Sequence, residues 1–249
     1  MQILSRFNFN LRFVKLVVFL SGFCPLLLVF AQNTEAPEAK KPLTDTGLWF
    51  EVGVSQPVGE KWSVDVSEEL RFDKGGQHLR SAYTYAGIAY KLADFVSLQA
   101  GYRLKVRKTE HLQNEIRFGP TFKTRVKPLK LDLRLRVLYK HEFAKPDDAA
   151  DSKHLRAALT ARVSRKKWTA APYVRTEWLY ALSYKGQFFD ESRWQIGVQY
   201  EPFKNHSFAA YYQYTANLND SPLERKHILG FEYGYELPNL VTKPPKTKP

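Results

Sequence analysis

From Asp45 to Leu237, apolar and polar side chains alternate along the chain and break at regular intervals into turn signals. A period of two places successive side chains on opposite faces of a strand. Trp62, Val64, Val66, Leu70 and Phe72 share one face, while Lys61, Ser63, Asp65, Ser67, Glu69 and Arg71 share the other. Glu68 alone departs from that pattern. Leu129, Leu131, Leu133, Leu135, Val137 and Tyr139 alternate in the same way with Lys130, Asp132, Arg134, Arg136, Leu138 and Lys140. The pattern predicts eleven strands, at 46–55, 61–72, 79–91, 94–107, 110–123, 129–142, 153–164, 168–182, 190–201, 206–217 and 225–237. The Ala and Leu content of 153–164 would also suit a helix, but its neighbours argue for a strand.

Many of these segments run to 12–14 residues. Strands of soluble proteins run to about 5–6, and a tilted strand crosses a bilayer in about 9–11. The links alternate in length. Short turns near 57–59, 93–94, 165–166 and 202–205 alternate with longer polar links near 73–77, 143–152, 184–190 and 217–223. Transmembrane barrels have short periplasmic turns and longer outer loops. Trp62, Phe95, Trp168 and Phe208 open strands just after short turns, and Tyr90, Phe122 and Tyr200 close strands just before them. On a barrel these seven rings share one rim, as an interfacial aromatic girdle requires. Trp178, Tyr180, Tyr184, Tyr212 and Tyr214 fall toward the other rim. The expectation is an all-β protein, a transmembrane antiparallel β-barrel of about 10–12 strands. The alternative is a soluble barrel or sandwich whose apolar face turns inward.

One feature resists that expectation. Single-chain bacterial barrels have even strand numbers, and the count here is eleven, with the first strand starting on the long-link side. Either one strand is merged or missed, or residues 32–44 add a strand or lie inside the barrel.

The N-terminus supplies a compartment. Arg6, Arg12 and Lys15 precede an apolar run from Leu16 to Phe30, and Val29-Phe30-Ala31 is suited to signal peptidase, so cleavage is expected after Ala31. An uncleaved anchor is the alternative, although the run falls short of the roughly 20 residues a span needs. Cys24 suggests a lipoprotein, but Phe23 stands where a small residue is required. The expected organisation is a signal peptide at 1–31, a polar linker at 32–44, the barrel at 45–237 and a Pro/Lys-rich tail at 238–249. The tail, with Lys243, Lys246 and Lys248, reads as a flexible extension, with contact to anionic envelope polymers as the alternative.

Loss of the signal removes the only cysteine, so neither disulfides nor a thiolate metal site are expected. It leaves 35 Lys and Arg against 25 Asp and Glu. A basic surplus is also the footprint of nucleic-acid binding. Here, however, the cations are spread over alternate strand positions and the chain is exported, so no nucleic-acid partner is expected. The expected location is the bacterial outer membrane, with membrane lipid as the partner.

Several short motifs carry a resemblance. Gly101-Tyr102-Arg103, Arg117-Phe118-Gly119, Leu133-Arg134-Leu135-Arg136, Pro172-Tyr173 followed by Glu177, and the run Arg193 to Tyr200 resemble a bacterial family known only as an uncharacterised domain. That family is similar to outer-membrane β-barrels and, like this chain with Trp49, begins with a signal peptide and a Trp-containing first strand. The resemblance spans nearly all of 45–237. It implies the barrel and its location and no activity.

The inward face is the candidate functional surface. By the alternation, Glu51, Asp65, Glu69, Arg103, Glu115, Arg117, Arg134, Arg136, Arg156, Arg175, Glu177 and Arg193 line the lumen, joined by Arg71, Lys105, Arg107, Asp132, Arg162, Glu201 and Glu232. Arginine makes planar multi-donor pairs with carboxylates, so the leading expectation is an interior braced by such pairs. The functional alternative is a narrow pore favouring anions, with a small anionic solute as its cargo. No cofactor is expected. The six histidines, at 78, 111, 141, 154, 206 and 227, show no metal-binding spacing, and no G-x-S-x-G elbow occurs. The chain is therefore not expected to be an enzyme. A lipid-modifying enzyme using a Ser/His pair such as Ser207 with a histidine remains an alternative, as does a soluble periplasmic ligand-binding barrel.

Overall fold

The computed structural model describes residues 43–107, 110–143, 151–163, 169–182, 189–218 and 224–241. The expected signal peptide, most of the linker, Trp168, Tyr184 and the lysines of the tail lie outside the described residues. The described residues form eleven strands: β1 (Leu43–Val58), β2 (Trp62–Asp73), β3 (His78–Ala93), β4 (Val96–Arg107), β5 (Glu110–Val126), β6 (Leu131–Glu142), β7 (Ser152–Val163), β8 (Ala170–Ala181), β9 (Glu191–Tyr200), β10 (His206–Asn217) and β11 (Glu224–Glu236). Each consecutive pair is an antiparallel neighbour, and β1 pairs with β11 to close the barrel. The segment with the mixed signal forms strand β7 over Ser152–Val163 because both neighbours offer a ladder. Leu43 and Thr44, expected in the linker, are the first residues of β1.

The odd count is resolved at the seam, where the antiparallel expectation needs correction: β1 and β11 run parallel. An odd ring of alternating strands must contain one such pair. The register of this pair aligns two copies of one pattern. Trp49-Phe50-Glu51-Val52-Gly53-Val54 lies beside Gly230-Phe231-Glu232-Tyr233-Gly234-Tyr235, residue for residue. Phe50 stacks on Phe231 at 5.5 Å between ring centroids. Parallel ladders are slightly weaker than antiparallel ones, and the residues after β11 reinforce this one. The Leu237 and Leu240 amides donate to the Ser55 and Pro57 carbonyls at 2.8 and 3.1 Å. Asn239 accepts from the Gly59 amide at 2.9 Å and donates to the Gly59 carbonyl at 2.8 Å. The beginning of the tail is thus a clasp on the β1–β2 turn.

The alternation sorts side chains as a barrel wall requires. Val52, Val64, Val66, Ile88, Leu98, Phe118, Ile196 and Val198 are exposed on the outside, as is Glu68. Arg103, Glu115, Lys140 and Glu177 are buried inside. Trp62 and Tyr90 lie 4.6 Å apart at the short-turn rim, and Phe208 and Tyr233 lie 5.0 Å apart. Trp178 and Trp194 meet edge to face at 6.3 Å near the other rim. Asn205 and Lys130 take left-handed conformations in short turns, which lets the strands reverse without a longer loop.

Inside, tyrosine rings lie flat over glycines, which substitutes ring contact for the packing the glycines lack. A Cβ on Gly230 would lie 2.0 Å from the Tyr211 ring, and one on Gly101 would lie 2.5 Å from Tyr85. Gly230→Ala should therefore cost about 1–3 kcal/mol through overpacking, read from the denaturant midpoint of the folded barrel. In a Tyr211→Ala background the same change should cost less, and an equal cost in both would contradict this packing.

Candidate functional site

Among the described residues the fold concentrates charge on the lumen, which holds at least three cavities. The largest, about 1020 Å³, reaches the short-turn rim at Pro202, Phe203 and Asn205. A second, about 330 Å³, reaches the long-link rim at Asp45, Asp73 and Asn217. Trp49, Arg71, Tyr83, Arg103 and Arg193 line both cavities and so form the partition between them. The third, about 310 Å³, adjoins the largest between β6–β8 and the seam.

The partition is built by arginines stacked on rings and paired with carboxylates. The Arg71 guanidinium lies 3.7 Å from the Trp49 ring and 4.4 Å from the Tyr83 ring, and Arg103 lies 3.7 Å from the Tyr83 ring. Such contacts gain strength when water is excluded. Glu69 accepts from Arg71 Nε at 2.7 Å and from Arg103 at 2.9 Å. From the far wall, Arg193 pairs with Glu191 and reaches Glu177 at 3.7 Å. Glu177 also takes Arg156 Nε at 3.0 Å, and it pairs with Arg175. Beside this layer, Glu115 joins Arg117 at 2.8 Å and Lys140 at 3.0 Å. At the short-turn rim, taken as the lower end of the barrel with the long-link rim as the upper, Arg162 links Asp132 and Glu201 at 3.3 and 3.4 Å.

Of the nineteen residues assigned to the lumen from sequence, the first twelve named all line these cavities, and Asp132 alone lines none of them. Of those twelve, Glu115 lines the upper one, and the other eleven, including Asp65, line the largest. The alternation alone did not separate paired groups from unpaired ones. Arg134 and Arg136 have no carboxylate of the described residues within 4 Å, and Arg175 Nε is buried without a hydrogen-bond partner among them. Glu51 and Glu232 sit side by side in the seam register, with no cation of the described residues within 4 Å. Sequence reasoning passed over the seam site. The repeated Phe-Glu-x-Gly pattern in the first and last strands was the signal that could have found it.

The residues considered for catalysis are not assembled. Ser207 faces the lumen beside Gly234. His206 Nδ1 instead meets the Tyr233 hydroxyl at 3.0 Å. Near the upper rim, Ser152 Oγ lies 3.4 Å from His154 Nδ1, and His154 Nε2 lies 3.5 Å from Asp190. Both distances exceed the roughly 2.6–3.2 Å of a working nucleophile–base relay. Among the described residues, no group of three or more His, Cys, Asp or Glu is arranged to hold a metal ion.

The fold and the site define a class: a closed β-barrel, apolar outside, with an ion-paired and partitioned lumen. The chain belongs to the family described as protein of unknown function (DUF2490), whose model matches residues 46–225, from the start of β1 to the start of β11. No curated protein matches it.

Glu177 is 4 % exposed and serves three arginines. Glu177→Gln should cost about 3–5 kcal/mol, because it strands buried cations. Glu201→Gln, at the open rim, should cost less than about 1 kcal/mol. Denaturant midpoints of the two variants check this, and equal losses would contradict the central role of Glu177.

Proposed function

We propose that this protein is an outer-membrane β-barrel whose lumen is closed to free diffusion and holds a polar chamber opening on the periplasmic side. The observation that carries the reading is the inversion of the barrel. Large apolar side chains ring its outside, with Ile196 61 % exposed, while its charges are buried inside. A belt of that kind left in water would cost about 25 cal/mol per Å² and would drive association; lipid covers it without penalty. Strands of 10–17 residues are long enough to cross, and closure satisfies every strand edge, as a bilayer interior demands. Aromatic rings at both ends suit the headgroup regions. The inverted faces weigh against a soluble ligand-binding barrel.

The short turns suit the periplasmic side, which directs the larger chamber there. An N-terminal signal, if cleaved as expected, supplies export. The reading gives the barrel no catalysis, because Ser207 and His206 diverge and the Ser152–His154 contact is loose. It favours the structural role over the open small pore, since five side chains separate the two chambers.

Reconstitution tests both halves. The protein should float with liposomes on a density gradient and should pass no stepwise current in a planar bilayer. Trp49→Ala combined with Arg71→Ala should open the partition and give discrete openings favouring anions, because basic groups predominate in the lumen. Failure to float would sink the membrane reading. Steady openings from the unaltered protein would sink the partition.

A further inference from the structure

The lower chamber has a basic wall and an acidic wall that no ion pair within 4 Å joins. In a ring of eleven strands, β6 lies opposite the seam of β1 and β11, five strands from each. Arg134 and Arg136 project from β6, and Arg175 from nearby β8, into the cavity that Glu51 and Glu232 line from the seam. Arg175 pairs with Glu177 and Glu51 accepts a hydrogen bond from Ser67, but neither wall is paired with the other. Arg134 and Arg136 have no carboxylate of the described residues within 4 Å, and Arg134 remains solvent-exposed within the chamber. Glu51 and Glu232 are held side by side by the ladder, although like charges directly opposite one another destabilise a sheet.

The space between the walls is built into the sequence. The seam wall carries Gly53, Ser55, Ser207, Ala209 and Gly234, whose small side chains leave the volume that Arg134 and Arg136 face. At about 1020 Å³, with about 310 Å³ adjoining, the chamber has the size of small-molecule sites. It is also polar throughout its charged section, unlike an apolar cofactor pocket.

From this geometry, and resting on the chambered barrel proposed above, we infer that the lower chamber binds a small soluble zwitterion. Its phosphate or carboxylate docks on Arg134 and Arg136, and its primary ammonium docks between Glu51 and Glu232. Guanidinium forks suit an oxyanion, and an ammonium has three donors to share between two carboxylates. A lone anion would leave the glutamates repelling, and a lone cation would leave the arginines repelling. With the basic wall on β6 and the acidic wall at the seam, such a ligand lies across the barrel rather than along it. Neighbouring strands close the chamber wall all the way round the barrel, so acyl chains cannot follow a headgroup through it. The ligand is a free solute rather than a membrane lipid.

Isothermal titration of the detergent-purified protein with O-phosphoethanolamine tests this, with inorganic phosphate and ethanolamine as single-charge comparators. The expected result is saturable binding of O-phosphoethanolamine at least tenfold tighter than either comparator. Arg136→Gln and Arg134→Gln should each weaken it at least tenfold. Glu51→Gln with Glu232→Gln should reduce the preference over phosphate to near unity. Arg134, which carries no ion pair among the described residues, provides the variant least able to disturb folding, and circular dichroism verifies each barrel. No saturable binding, binding no tighter than phosphate, or binding unchanged in folded Arg134→Gln would each overturn the proposal. So would abolition of binding by phosphatidylethanolamine in the micelle, which would assign the site to a headgroup. None of these readouts depends on flotation or conductance, so the inference can fail while the barrel reading stands.

Discussion

A ring of eleven strands can close only if one neighbouring pair runs parallel. That requirement shapes the rest of the molecule. Every other contact is a local antiparallel ladder between chain neighbours, while the seam joins the two ends of the chain and cannot be set by a hairpin turn. Its register rests on matched side chains instead. Phe50 stacks on Phe231 outside, Gly53 sits beside Gly234 inside, and Asn239 grips the Gly59 turn below. The same register brings Glu51 beside Glu232, an unfavourable pairing that closure imposes. It also sends the start of β1 to the long-link rim and the end of β11 to the short-turn rim, so the chain enters and leaves the barrel at opposite ends.

The interior follows from the wall. With apolar side chains turned out, the period of two commits alternate positions to the lumen, where many charges must be accommodated in a confined space. Arginine is suited to that role because it pairs in a plane, stacks on rings and stays charged. Around Glu69 and Glu177 these properties combine into a layer that braces strands from both sides of the barrel and divides its space. Toward the lower rim the pairing is incomplete and small residues replace large ones at the seam, so the packed layer gives way to a chamber. Rigidity above and an unsatisfied field below arise from the same alternation.

How much of this was legible beforehand depended on the range of the interaction. The strands, including β7 against its helical composition, could be read because alternation is local and repeated eleven times. Lumen residues followed from parity. Glu69 and Arg134 look alike on those grounds, yet one holds two arginines and the other lacks a carboxylate partner among the described residues; that difference is set by neighbours across the barrel. Likewise the expectation of an antiparallel barrel of about 10–12 strands holds except at one pair, where strands about 180 residues apart meet. The matching patterns at Phe50-Glu51 and Phe231-Glu232 carried that information, but only a comparison of the first strand with the last exposes it. Asn239 read as flexible tail because its composition says nothing of the turn it caps.

The central claim is the inversion: apolar wall outside in lipid, charged wall inside in water. Nitroxide labels on single cysteines along β9, in protein reconstituted into bilayers, test it most directly. Labels at Ile196 and Val198 should be accessible to oxygen and shielded from a soluble nickel chelate. Labels at Gln195 and Gln199 should show the reverse, giving an accessibility pattern with a period of two. Nickel access at Ile196 and Val198, with Gln195 and Gln199 shielded from the chelate, would contradict the account and identify a barrel that lives in water.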